Sequence, residues 1–309
     1  MEKHIKGLHH ITSMAANANQ NNAFFTQTLG LRRVKKTVNF DAPEVYHLYY
    51  GDEHGTPGSV MTYFPFGHMP RGARGTGEVG VTEFAVPTGS LGFWKERLAN
   101  EGVQGLRQDS FVGEARLSFN GPDGDSFALV ESDPEGRLAW TGSGVDDSVG
   151  ILGFHGARFR LRDAAATGEL LRFMGYEKDE TEGSVTRYRI EGGNAARTID
   201  LEELPQANAA RQGSGSVHHI AFAVEDRAAQ AEVRKALLDT GYQVTPVIDR
   251  DYFWAIYFRT PGGVLFEIAT NEPGFDRDED TAHLGEALKL PERYRPFRDQ
   301  IEARLPELA

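Results

Sequence analysis

Two segments of the 309-residue chain carry the same doublet of histidines followed by isoleucine and a small residue: His9-His10-Ile11-Thr12 and His218-His219-Ile220-Ala221. Both lie in alternating apolar runs that read as strands. Neighbouring strand residues face opposite sides, so one histidine of each doublet can enter a given cavity wall while the other faces elsewhere or leans round the rim. In the second run Ile220, Phe222 and Val224 share the face opposite His219, Ala221 and Ala223, and the alanines leave room beside His219. A third residue, Glu267, stands between Phe266 and Ile268 in an otherwise apolar strand. A carboxylate there is costly to bury unless it is paired, protonated or bound to a metal. Two imidazoles and one carboxylate with open positions make the facial set of non-haem iron chemistry, and the same set accepts manganese, cobalt, nickel or zinc. The chain has no cysteine, which removes disulfides, thiolate nucleophiles and zinc-thiolate sites and leaves any metal to His, Asp and Glu.

The elements that must position these residues recur. Residues 7–14 read as a strand and 19–29 as a helix with Phe24, Phe25 and Leu29 on one face, stopped at Gly30; strands follow over 31–38, 45–50 and 59–64. The same order returns as strand 80–86, helix 91–100 before Gly102, and strands at 115–119 and 126–131. It returns again as strand 153–159, helix 164–173 before Gly175, and strand 198–201. The last pass runs through strand 217–224, helix 228–238 before Gly241, and strands 255–258 and 264–268. A unit near 70 residues is long for a solenoid and suits paired modules that bury one sheet face each. The expected fold is α+β, with four βαβββ modules paired into two domains, residues 1–140 and 150–309, around a Gly-, Asp- and Ser-rich linker at 132–150. Periodicity ends after Pro273, leaving a C-terminal tail.

A formal net charge of -12 opposes binding to nucleic acid or anionic membrane, which Lys and Arg drive. No apolar run approaches the ~20 residues that cross a bilayer, and a cytoplasmic protein is expected.

Aligning the modules gives the first-strand slot as His10, Val81, His155 and His219, and the last-strand slot as Thr62, Ala128, Asp200 and Glu267. Module two supplies no ligand. Three strong ligands can come from modules one and four (His10, His219, Glu267) or from three and four (His155, His219, Glu267), and spacing alone does not choose.

Five motifs then narrow the reading: Leu8-His9-His10-Ile11-Thr12, Tyr46-His47-Leu48-Tyr49-Tyr50, Gly55-Thr56-Pro57-Gly58, Val217-His218-His219, and the run from Arg259-Thr260-Pro261-Gly262-Gly263 to Phe266-Glu267. Over nearly the whole chain, including the tail at Gly274-Phe275 and Asp278-Glu279-Asp280, the sequence resembles the ring-cleaving dioxygenases of the vicinal oxygen chelate superfamily, and most of all their hydroquinone-type branch. The resemblance implies two vicinal-oxygen-chelate domains and metal ligands at His10, His219 and Glu267. It implies that His9, His218, Thr12, Arg250 and Tyr257 line the substrate pocket, with His218, His9, Tyr257 and Arg250 catalytic. It also implies Fe(II), with Mn(II) or another divalent metal as alternatives, and a small aromatic substrate with O2 as partners, in a chain compatible with a homo-oligomer. A para-diol cannot chelate, so it would bind through one oxygen while the pocket orients the ring. Fe(II)-dependent opening of a hydroquinone-type ring to a semialdehyde or acid is the expected activity. Cleavage of a catechol, glyoxalase-like isomerase or transferase chemistry, and sequestration of an aromatic without catalysis are its rivals.

Other features read more plainly. His47, His54, His68 and His283 are expected in turns or at the surface, and His155 in a core or beside the site. The glycine-rich run from Arg71 to Gly77 lacks the ending of a phosphate loop and reads as a mobile loop between modules near the cavity mouth. The acidic stretch 276–280 lacks calcium-loop spacing and reads as solvated.

Overall fold

The computed structural model describes residues 1 and 3–308. Four modules appear, each a strand, a helix and three strands. Module one is β1 (Leu8–Ala15), α1 (Ala18–Ala23), β2 (Arg32–Asn39), β3 (Ala42–Gly51) and β4 (Val60–Pro65). Module two is β5 (Glu78–Pro87), α2 (Leu91–Asn100), β6 (Arg107–Phe111), β7 (Glu114–Asn120) and β8 (Ser126–Ser132). Module three is β9 (Phe154–Leu161), α3 (Ala165–Phe173), β10 (Glu177–Glu182), β11 (Val185–Arg189) and β12 (Thr198–Glu203). Module four is β13 (Val217–Val224), α4 (Arg227–Asp239), β14 (Ile248–Asp249), β15 (Phe253–Arg259) and β16 (Leu265–Pro273).

The helices start and stop for local reasons. Asn17 caps α1 by accepting from the Gln20 N–H, and Asp226 caps α4 by accepting from the Ala229 N–H. Helix α1 runs on into one π-helical turn, Phe24–Thr28, which buries both phenylalanines. The chain then breaks at Gly30, as it does after the later helices at Gly102, Gly175 and Gly241, each with a positive φ that glycine adopts without steric cost.

The modules do not pair in sequence order. One eight-stranded sheet runs β14-β15-β16-β13-β1-β4-β3-β2 and the other β10-β11-β12-β9-β5-β8-β7-β6. Module one thus shares a sheet with module four, and module two with module three, joined through the antiparallel first-strand pairs β1/β13 and β5/β9. The expected halves, 1–140 and 150–309, therefore do not each close a sheet of their own; each sheet takes one module from each half. The reason is edge chemistry: a first strand exposes a free ladder, and the strand that satisfies it need not come from the neighbouring module.

Each sheet has an apolar face and a more polar one. Ile11, Ile220, Phe222 and Phe266 join Phe84, Phe159, Trp94, Leu170 and Val233 in one continuous core spanning both sheets. The Phe159 and Phe266 rings meet at 5.6 Å across the two sheets. A smaller cluster, including Tyr49, Ala221, Tyr252, Phe253 and Phe275, lies apart from it. The linker is packed rather than free: the carbonyl of Val149 accepts from Trp94 Nε1 at 2.7 Å, and Arg32 lies 4.8 Å from the Trp140 ring. Nor is the tail merely solvated, since Asp278 and Glu279 pair with Lys35, whose side chain is fully buried. The loop at Arg71–Gly77 is pinned by backbone bridges to Ser214, Arg211 and Ala209, so it does not fit the reading of a mobile connection. Among the described residues no helix is long and apolar enough to cross a membrane.

Trp94 is fully buried and ties α2 to the linker. Replacing it with Ala is expected to cost about 3–5 kcal/mol, read as a fall in the urea midpoint. A loss below about 1 kcal/mol would show that this packing does not support the fold.

Candidate metal centre and its cavity

One row of residues crosses four strands. His10 on β1 stands opposite Ala221 on β13, Ala221 lies beside Glu267 on β16, and Glu267 faces Tyr257 on β15. Registered residues share a sheet face, and His219, two positions before Ala221, shares it too. Ala221 carries only a methyl group, so the centre of the row stays open between the longer side chains on either side.

The ligand atoms converge there. His219 Nε2 is 2.9 Å and His10 Nε2 is 3.4 Å from Glu267 Oε2, and the two imidazole nitrogens are 3.4 Å apart. Bonds of ~2.1 Å from one ion give ligand–ligand edges of about 3.0 Å at right angles and about 3.4 Å at tetrahedral angles, so these edges suit a single divalent cation. Glu267 is fully buried, yet neither carboxylate oxygen makes a hydrogen bond of acceptable geometry. Burial by itself would raise the Glu267 pKa; the charges of His10 and His219 outweigh it and hold the group well below the usual carboxylate range. An ionised, buried carboxylate without hydrogen bonds needs a cation. Among the described residues, His10, His219 and Glu267 are the cluster that could hold a metal ion.

The first histidine of each doublet supports the second. His9 Nδ1 is 2.9 Å from His10 Nδ1, and His218 Nδ1 is 2.8 Å from His219 Nδ1. A ligand that offers Nε2 to a metal carries its proton on Nδ1, so with a metal bound His10 and His219 would donate and His9 and His218 would accept. Burial and then the adjacent His10 push His9 down to about 3, while burial and then His219 push His218 down to about 4. Both rings are therefore neutral near pH 7. His9 bonds the backbone at Thr270 and lines a separate small cavity with Tyr252 and Asn271.

The metal cluster opens into a cavity of about 460 Å³. Its walls include Met14, Phe64, Phe66, Met69 and Leu265, with His47, Tyr49, His218, Arg250 and Tyr257 as polar groups. Arg250 Nε donates to the Tyr257 hydroxyl at 3.1 Å, and its Nη1 lies 3.4 Å from Asp41. Burial first, then the Glu267 charge, raise the Tyr257 pKa well above its ordinary value, so the phenol stays protonated.

Of the residues expected on this wall, His218, Arg250 and Tyr257 are there. His9 and Thr12 are not. The pleat turns His9 to the far side of β1, and Thr12 is sealed under its neighbours, accepting from Thr62 at 2.9 Å. His47, expected in a turn or at the surface, is instead buried on β3 and lines the cavity. Its Nε2 is 2.8 Å from the Thr62 hydroxyl and its Nδ1 2.8 Å from the Tyr49 hydroxyl, giving a chain Tyr49–His47–Thr62–Thr12. The signal was the two-residue spacing of His47 and Tyr49 in an otherwise apolar strand.

The second sheet explains why only one such cluster is found among the described residues. Its matching row reads Val81, Arg158, Asp200 and Arg187. Arg158 fills the place that Ala221 leaves open, and Asp200 is paired with Arg187 at 2.8 Å and with Arg158 at 3.4 Å. Glu83 pairs with Arg116, and Phe111 lies under Arg116, Arg158 and Arg187. His155 sits where the β5/β9 register slips and contacts Glu114 at 3.2 Å, in the sheet that does not carry His219. That removes it from the choice of ligands.

The chain belongs to the Glyoxalase/Bleomycin resistance protein/Dioxygenase superfamily, whose family model matches residues 150–268. Its full-length relatives are named ring-cleaving dioxygenases. It is 42% identical over 303 residues to "Putative ring-cleaving dioxygenase MhqO" of Bacillus subtilis (strain 168), covering 98% of this chain and 96% of that one. It is 34% identical over 311 residues to the chlorohydroquinone/hydroquinone 1,2-dioxygenase of Sphingobium indicum, covering 97% and 96%. A crystal structure described as "putative dioxygenase from Bacillus subtilis subsp. subtilis str. 168" superposes with a TM-score of 0.95 at 42% identity, covering 99% of this chain and 98% of that one.

Three substitutions test the centre. Ala221→Val puts a branched side chain into the open middle of the row and is expected to abolish metal retention while the far-UV circular dichroism stays unchanged. His219→Ala should do the same by removing a ligand, whereas His218→Ala should keep the metal. Elemental analysis showing metal-replete His219→Ala protein would overturn the ligand assignment.

Proposed function

We propose that the chain is an Fe(II)-dependent dioxygenase that opens hydroquinone-type rings, with or without ring substituents. The reading is carried by one observation: a buried His10–His219–Glu267 cluster at the foot of a cavity walled by aromatic and thioether side chains. The relatives' names agree with it. Fe(II) bound there would supply the electron transfer that couples an electron-rich ring to O2, whereas Mn(II) or another divalent ion fits the same donors.

The protein's own groups have separable tasks. Met14, Phe64, Met69 and Leu265 exclude water and hold the ring by apolar contact. His218, neutral with its proton on Nε2, donates a hydrogen bond to a substrate oxygen; its low basicity suits a donor better than a resident base. Arg250 reaches the second oxygen of a para-diol, which cannot share the first oxygen's partners. Tyr257, held by Arg250, stands beside Glu267 in register and walls the cluster on that side. His9 acts through His10 as a positioning residue rather than by touching substrate. Ring plus O2 gives a ring-opened semialdehyde acid that retains every atom of both.

Anaerobic loading with Fe(II), followed by oxygen-electrode assays, tests the reading. Hydroquinone or a substituted hydroquinone should draw one O2 per ring, and Arg250→Met should raise KM about tenfold. Uptake with catechol alone points to the ortho-diol chemistry, conversion of a methylglyoxal–thiol adduct without oxygen points to an isomerase, and no turnover of any of them sinks the dioxygenase.

A further inference from the structure

The turn between β2 and β3 forms part of the cavity rim: Asn39, Phe40 and Asp41 all line it, and Phe40 is buried. This is a two-residue connection, with Asn39 paired to Ala42. Such hairpins are self-stabilising when the central residues adopt the I′ or II′ conformation, which needs a positive φ at the first or both. Neither Phe40 nor Asp41 has one. The ladder is also broken just beneath: Val38 stands opposite Tyr46, so three residues of β3, Pro43 among them, are bulged out between the last two pairs. Within the turn the Asn39 side chain accepts from the Asp41 N–H at 2.9 Å, and little else in the hairpin itself fixes this rim.

The tail supplies what the hairpin lacks. The carbonyl of Phe40 accepts from the Tyr294 hydroxyl at 2.7 Å and from Arg293 Nη2 at 2.9 Å. The Arg293 guanidinium also lies 5.7 Å from the Phe40 ring and 4.9 Å from the Tyr294 ring. Upstream, the tail is laid along the outer edge strand by a bridge between Leu288 and Lys36 and by the Lys289 N–H on the Lys36 carbonyl at 2.9 Å. Downstream, the Tyr46 hydroxyl donates to the Pro306 carbonyl at 3.0 Å. Beyond the turn, Asp41 reaches Arg250, and Arg250 reaches Tyr257.

We infer that the C-terminal tail is a clamp on the substrate cavity: Arg293 and Tyr294 are positioning residues that hold the Phe40–Asp41 rim, and thereby Arg250, in place for small rings. The contact geometry stands by itself; the consequence for substrate choice rests on the hydroquinone reading above. Arg293 is exposed and Tyr294 is half-buried against the core, in a segment outside the two sheets; Arg293→Met and Tyr294→Phe remove the donor groups while keeping the apolar bulk of each side chain.

The test uses the full-length, metal-loaded protein and the double variant Arg293→Met/Tyr294→Phe. Hydrogen–deuterium exchange of peptides covering residues 40–46 should rise about tenfold, with peptides of β1 and β13 and the metal content unchanged. KM for 2-chlorohydroquinone should rise about fivefold while kcat stays within about twofold, and the preference for hydroquinone over the bulkier 2-tert-butylhydroquinone should fall. Arg293→Lys in the Tyr294→Phe background should recover part of each effect. Unchanged exchange at 40–46 overturns the clamp, and a loosened rim with unaltered KM and preference overturns its role in selection. If the unsubstituted protein consumes no O2 with any hydroquinone, the dioxygenase reading fails instead, and the exchange data alone decide the clamp.

Discussion

A fully buried carboxylate without a hydrogen bond is the constraint around which this molecule is arranged. Glu267 is held ionised by two facing imidazoles, and such a group is tolerable only if a cation shares its position. Each surrounding feature follows from that need. Ala221 keeps the middle of the row empty, Tyr257 stands next to Glu267 in register and is held by Arg250, and His9 and His218 lie within hydrogen-bond distance of His10 and His219. A repeated doublet is thus a repeated pair of placements, one ring in the cluster and one bonded to it.

The two sheets show the same scaffold taken to opposite ends. In one, a small residue at the centre of the row leaves a coordination site and a cavity above it. In the other, Arg158 occupies the equivalent place and three arginines, two carboxylates and Phe111 close the space. Duplication of a fold does not duplicate its chemistry. All four positions of the row differ between the sheets, and at its middle arginine stands where the first sheet has alanine.

Interlocked pairing gives the centre its dependence on the whole chain. His10 comes from the first module and His219 with Glu267 from the last, so the three meet only where those two modules share a sheet. The tail then returns to the first module, through Lys35 in the core and Phe40 at the rim. The cavity wall is therefore built from both ends of the polypeptide.

Much of this was legible in the residues. Helix spans, glycine stops and the fourfold βαβββ order follow from local periodicity and from the few residues that accept a positive φ. The pairing of a doublet histidine with Glu267 follows from the cost of a carboxylate in an apolar strand. The sequence by itself did not settle which modules share a sheet, because ladder hydrogen bonds are made by backbone groups that every residue carries. For the same reason it could not separate His10 from His155, or place His9 behind the wall and His47 on it. Those outcomes depend on register and on what stands across the strand, and register between residues some two hundred positions apart is fixed only when the chain folds.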